Sequence, residues 1–118
     1  MKLQISEEAQ AVINKQRQTG DRLLLDYEDA IGPFTEKAAS CQIYTSFRLL
    51  LVPAEFPEEE LSDYDDRIET NAGIVYMKKT SQMLLDSEVS IVIEKSYRRI
   101  QIISDSGVLA SKLSLKRV

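Results

Sequence analysis

A chain of 118 residues, 43% apolar and 29% charged, is long enough to bury one core unaided and has the composition of an ordinary globular domain. Its net charge of −4 argues against nucleic acid as the main partner, because phosphate binding needs clustered Lys and Arg. One cysteine, Cys41, and no histidine exclude an intramolecular disulfide, the usual Cys/His zinc sites and every Ser-His-Asp or Cys-His constellation.

Met1 to Ile5 puts Leu3 and Ile5 on one side and reads as a short strand. Ser6 is placed to cap a helix, with Glu7 and Glu8 at the positive end of its dipole. Ala9, Val12, Ile13 and Gln16 form its narrow inward stripe, and Gly20 is the expected C-terminal stop. Arg22 to Tyr27 reads as a strand with a buried middle. Glu28 to Ser40, with a Gly32-Pro33 turn, has no clean period and is expected as a loop. Gln42 to Val52 is the longest strand candidate. It has Ile43, Thr45, Phe47, Leu49 and Leu51 on one face, and Tyr44, Ser46, Arg48, Leu50 and Val52 on the other; Pro53 ends it.

An acidic loop broken by Pro57 follows. Arg67 to Thr70, the turn Asn71-Ala72-Gly73 and Ile74 to Met77 then make a hairpin signature. Ser81 to Asp86 reads as one short helical turn carrying Met83, Leu84 and Leu85. Glu88 to Lys95 alternates Val89, Ile91 and Ile93 against Ser90, Val92 and Glu94. Ser96-Tyr97 turns the chain, and Arg99 to Ile103 returns it. Val108 to Val118 has period two and is expected as an edge strand. These elements predict one β-rich α+β domain over residues 1–118. It is expected as a twisted sandwich or partly closed barrel of mostly antiparallel strands with one flanking N-terminal helix.

The four glycines, Gly20, Gly32, Gly73 and Gly107, are too far apart to write any phosphate-cradling loop. Charge is unevenly placed. Glu55, Glu58, Glu59, Glu60, Asp63, Asp65 and Asp66 have no base among them, whereas Lys95, Arg98, Arg99, Lys112, Lys116 and Arg117 face only Asp105. The acidic stretch is read first as a solvated loop. As a site it would bind a basic partner through Glu58, Glu59, Glu60, Asp63, Asp65 and Asp66. A calcium hand counted from Asp63 would need Gly and Glu where Ile68 and Ile74 stand. No carboxylate pair is singled out for acid–base work. Tyr44 with Arg48, and Tyr97 with Arg98 and Arg99, read as ordinary surface packing. Cys41 reads first as a small buried hydrophobe and second as a thiol activated by Lys37.

The order of segments resembles the HesB-like domain of the A-type iron–sulfur cluster carriers. The resemblance rests on Met1-Lys2-Leu3-Gln4-Ile5-Ser6-Glu7-Glu8-Ala9, the strand Arg22 to Asp26, a loop ending in Cys41-Gln42-Ile43-Tyr44, and Gly73-Ile74-Val75-Tyr76-Met77 with Met83-Leu84-Leu85-Asp86. Leu23 to Asp29 with Gly32-Pro33-Phe34 is similar to a divergent bacterial "core domain" branch. The resemblance implies a non-catalytic protein of iron–sulfur cluster biogenesis with assembly proteins as partners, and a homodimer is compatible with it. A cytoplasmic location without a membrane or nucleic-acid partner is expected instead from the net charge, from a start without the order of a secretory signal and from apolar runs far short of the ~20 residues that span a bilayer. The resemblance also implies that Cys41 is the one inherited metal-ligand position, for iron or an iron–sulfur cluster. The family's Cys-Gly-Cys pair is replaced by Ser104-Asp105-Ser106-Gly107, which implies a degenerate cluster site.

Overall fold

Leucine-rich strands with apolar residues on both faces need cover on both sides, and the architecture supplies it. The structure, a computed structural model, describes residues 1–27 and 47–118. Among these, the strands are β1 Lys2–Ile5, β2 Arg22–Tyr27, β3 Phe47–Val52, β4 Asp66–Thr70, β5 Gly73–Met77, β6 Glu88–Ile93, β7 Ile100–Ser104 and β8 Gly107–Arg117. Helices α1 Glu7–Gln16 and α2 Lys79–Gln82 and a 3-10 turn at Glu58–Leu61 complete the described elements.

The eight strands form one sheet in the order β1-β6-β7-β8-β3-β2-β5-β4. Three neighbouring pairs are parallel, β1 with β6, β3 with β8 and β2 with β5; the other four are antiparallel. The sheet curls until its two outer strands meet. Asn71, in the β4–β5 turn, donates through Nδ2 to the Ile5 carbonyl at 2.8 Å, and its Oδ1 accepts the Ile5 N–H at 2.8 Å. One side-chain amide thus does the work of a neighbouring strand's peptide group, and the sheet is a nearly closed barrel. Closure in this way covers an edge that would otherwise present unpaired backbone groups.

Inside the barrel lie Leu3, Ile5, Leu23, Leu25, Leu49, Leu51, Val75, Met77, Ile91 and Ile102, with Ala9 and Ile13 of α1 packed on them. Ser6 caps α1 by accepting the Ala9 N–H at 3.1 Å. The opposite face of β2 and β3 carries Leu24, Leu50 and Val52. These are buried beneath Tyr64, with Phe56 and Leu61 packed beside them. The acidic stretch is therefore the outer cover of the central strands as well as a charged surface.

Three expectations are corrected. α1 ends at Gln16, with Arg17 already extended (ψ 133°), and Gln16 is exposed. Gly20 (φ +86°) serves instead the turn into β2, where an added Cβ would meet the Ala54 Cβ at 3.0 Å. The second helical turn starts two residues earlier than expected, because Asp65 Oδ1 accepts the Lys79 N–H at 2.9 Å and caps it from outside. Met83 and Leu84 consequently lie exposed beyond its end. Finally, β8 is an interior strand. Its first half pairs antiparallel with β7 and its second half pairs parallel with β3, so β1 and β4 are the outer strands. The expected loop 28–40 and the first part of the strand from Gln42 lie outside the described residues.

Candidate functional site

Strands β2 and β3 pair in register from Arg22 with Val52 to Tyr27 with Phe47, which sets Asp26 directly opposite Arg48. Both point to the covered outer face, one pleat from Leu24 and Leu50. Arg48 Nε donates to Asp26 Oδ2 at 2.8 Å, and Tyr64 Oη donates to Oδ1 at 2.9 Å. The Lys78 ammonium lies 3.4 Å from Oδ1, donates to the Tyr27 carbonyl at 3.4 Å and sits over the Tyr64 ring. Asp26 is 1% exposed, and Arg48, Tyr64 and Lys78 are buried with it. Two carboxylate oxygens facing three donors make an anchor. The network ties β2, β3, the acidic cover and the entry to α2 at one end of the barrel, where β2 gives way to residues 28–46. Sequence reading missed this network. Its one visible signal was a charge inside each of two apolar runs.

A second buried carboxylate closes the other end of these strands. Arg117 grips Asp21 with two parallel bonds, Nε to Oδ2 at 2.9 Å and Nη2 to Oδ1 at 3.1 Å, and the Gln18 N–H donates to Oδ2 at 2.9 Å. The hydrogen-bonded guanidinium holds the Asp21 carboxyl below its ordinary value of 3.8, although burial opposes the shift.

The β7–β8 turn carries oxygen ligands only. Ser104 Oγ donates to Asp86, and the Ser106 N–H donates to Ser104 Oγ at 3.0 Å. Bonds from Ser104 and then Ser106 hold the Asp86 carboxyl below its ordinary value. Beside the turn is a shallow polar cleft of about 230 Å³ lined by Lys2, Gln4, Glu88, Ser90, Ser104 and Asp105.

Of the expected acidic site, Glu58 pairs with Arg22 at 3.3 Å, and Asp65 caps α2. Asp66 accepts from Gln82 Nε2, and that bond holds its carboxyl below the ordinary value. Glu59, Glu60 and Asp63 are exposed. Cys41 lies outside the described residues.

Residues 1–117 match the model of a family described as iron-sulphur cluster biosynthesis. The chain belongs to the iron-sulphur cluster biosynthesis family. A candidate Fe-S biosynthesis protein from Lactobacillus salivarius superposes with a TM-score of 0.82 at 24% identity, covering 99% of this chain and 98% of that one. A second, from Lactobacillus acidophilus, gives 0.67 at 12% identity, covering 99% and 90%. These two likenesses show the shared fold. No curated protein matches.

For a member of the iron-sulphur cluster biosynthesis family, the donor set is poor in sulfur. Iron–sulfur clusters are held by soft thiolates, whereas the β7–β8 turn offers hydroxyls and carboxylates, which suit hard cations. Among the described residues no group of three or more His, Cys, Asp or Glu is gathered to hold a metal. The described residues do not fit a thiolate-held cluster. Among them, no helix is long and apolar enough to cross a membrane.

Proposed function

We propose that this protein serves iron–sulfur cluster biogenesis without catalysis, as a barrel that has kept the family scaffold with a degenerate cluster site. The observation that carries the reading is the Asp86–Ser104–Ser106 network. Its polar atoms satisfy one another at the turn that the HesB-like resemblance assigns to the cysteine pair. Cys41 is then the single thiolate each chain can offer to iron, and a homodimer would bring two. Assembly proteins in the cytoplasm are the partners this role requires.

Anaerobic reconstitution with iron and sulfide tests it. The expected product carries less than one cluster per chain, with weak thiolate-to-iron absorption that disappears in Cys41→Ser. A full, stable cluster spectrum that survives Cys41→Ser would refute the degenerate site, and no colour in either protein would remove Cys41 as a ligand.

A second reading, an acidic face for a basic partner, draws support from the 3-10 turn. Leu61 and Tyr64 pack it against the central strands and so hold Glu58, Glu59 and Glu60 on a fixed surface. Asp65 and Asp66 are already engaged within the fold and Glu58 is paired with Arg22, so Glu59, Glu60 and Asp63 would carry most of that contact.

A further inference from the structure

The β6–β7 hairpin ends in a tip whose construction the fold does not require. The Glu94 N–H donates to the Arg99 carbonyl at 2.8 Å and closes a loop over residues 95–98. Glu94 then accepts the Ser96 N–H at 2.6 Å and the Tyr97 N–H at 2.8 Å on its two carboxylate oxygens. These backbone bonds, Tyr97 first, hold its carboxyl below the ordinary value. The last loop residue, Arg98, has φ +53°, a left-handed conformation that Gly or Asn adopts at lower cost. Arginine there is a strained choice, and strain kept at a surface is a pointer to use.

The side chains agree. Tyr97 is 73% exposed, an unusual position for a large aromatic, and the Arg99 guanidinium lies over its ring at 4.6 Å from the centroid. Lys95, Arg98 and Arg99 are all exposed, and among the described residues no carboxylate forms an ion pair with them. Lys112 extends the patch from β8, next to Leu113, the register partner of Ile100. A guanidinium stacked on a ring keeps its edge donors for a carboxylate fork, and its position is fixed in advance.

The geometry points to this tip as a docking site for a carboxylate-rich segment of a partner protein. Exposed Tyr and Arg are the residue types that dominate protein interfaces. A nucleic acid fits less well. The patch is a point and not a groove that follows a phosphate backbone, one ring face is already covered by Arg99, and the rest of the chain is net acidic. The tip also has a definite place on the barrel. Ile100 pairs with Leu113, whose neighbour Ser114 pairs with Arg48, itself opposite Asp26. Toward the tip, β8 runs on to Arg117 and β3 to Val52 beside Arg22, so the docking tip lies at the Asp21–Arg117 end of the barrel, opposite the end where β2 gives way to residues 28–46. The Ser104 turn lies about 17 Å away, at the other end of β7.

The test uses the full chain and three labelled probes: an oligoglutamate peptide, an oligothymidylate and phosphatidylserine vesicles. Oligoglutamate should bind with an affinity that falls as salt rises, and Arg98→Ala/Arg99→Ala should weaken it about tenfold or more. Arg98→Gly removes a side chain while suiting the loop conformation, so it should weaken binding while raising the melting temperature, a combination that misfolding cannot produce. Failure of oligoglutamate to bind, undiminished binding by the double variant, or tighter binding of the oligothymidylate or the vesicles would overturn the proposal.

Discussion

Asp26→Asn is the most direct probe of what holds the end of the barrel nearest residues 28–46. Asparagine keeps the shape of the side chain but removes its charge, and it offers one oxygen where Arg48 and Tyr64 now use two. The bond to Arg48 is short at 2.8 Å and its loss counts in full, whereas Lys78 at 3.4 Å contributes less. A hydrogen bond to a charged group is worth roughly 1.5–3 kcal/mol, and breaking a buried ion pair from one side costs roughly 3–5 kcal/mol. The two estimates meet at about 3 kcal/mol, a large share of the 5–15 kcal/mol typical of a domain. With a urea slope of about 1.5 kcal/mol per molar, the unfolding midpoint should fall by about 2 M. Urea titrations followed by circular dichroism and tyrosine fluorescence give this number. The double variant Asp26→Leu/Arg48→Met should lose less than the sum of its single changes, since neither charge is then left facing a vacated site. A loss below about 1 kcal/mol for Asp26→Asn, or strict additivity in the cycle, would refute the assignment of Asp26 as the anchor.

Asn71→Ala removes both bonds that join the outer strands, so it should cost about 2 kcal/mol and selectively speed hydrogen exchange at the Ile5 amide. Asp21 titrates lower in the folded protein than its ordinary value of 3.8 because Arg117 grips it, so its contribution is complete above that value. That contribution disappears as pH falls through the lowered folded value. Urea midpoints measured across the acid range should therefore drop more steeply in the native protein than in Asp21→Asn.

Sequence reading located elements whose causes are local. Ser6 announces α1 because its hydroxyl caps Ala9 three residues on, and Asn71-Ala72-Gly73 announces its hairpin because Gly73 takes φ +103°. It misplaced elements whose causes are distant. The start of α2 is set by Asp65, fourteen residues upstream, and barrel closure by Asn71, sixty-six residues from Ile5. Val108 to Val118 has the alternation of an edge strand because one of its faces meets solvent. Whether a strand has one neighbour or two depends on hydrogen bonding, to which side-chain period is blind. The Asp26 network joins residues 22 and 38 positions apart, so only the charges inside apolar runs hinted at it. The poverty of sulfur at the candidate site needed no structure at all, since it follows from one cysteine in the chain.

That poverty has a structural counterpart at the β7–β8 turn. Two thiolates placed beside Asp86 would crowd three negative charges into one short turn, an arrangement that a bound cation has to relieve. Hydroxyl and amide groups at Ser104 and Ser106 instead supply donors, directly and in relay, and the carboxylate stays ionised without any metal. The turn is stable as it stands, and the barrel behind it is held by leucine packing, by Asn71 and by the two buried carboxylates. On the docking proposed above, the exposed aromatic and neighbouring arginines of the β6–β7 tip are the part of the described surface whose conformation is strained in advance of contact.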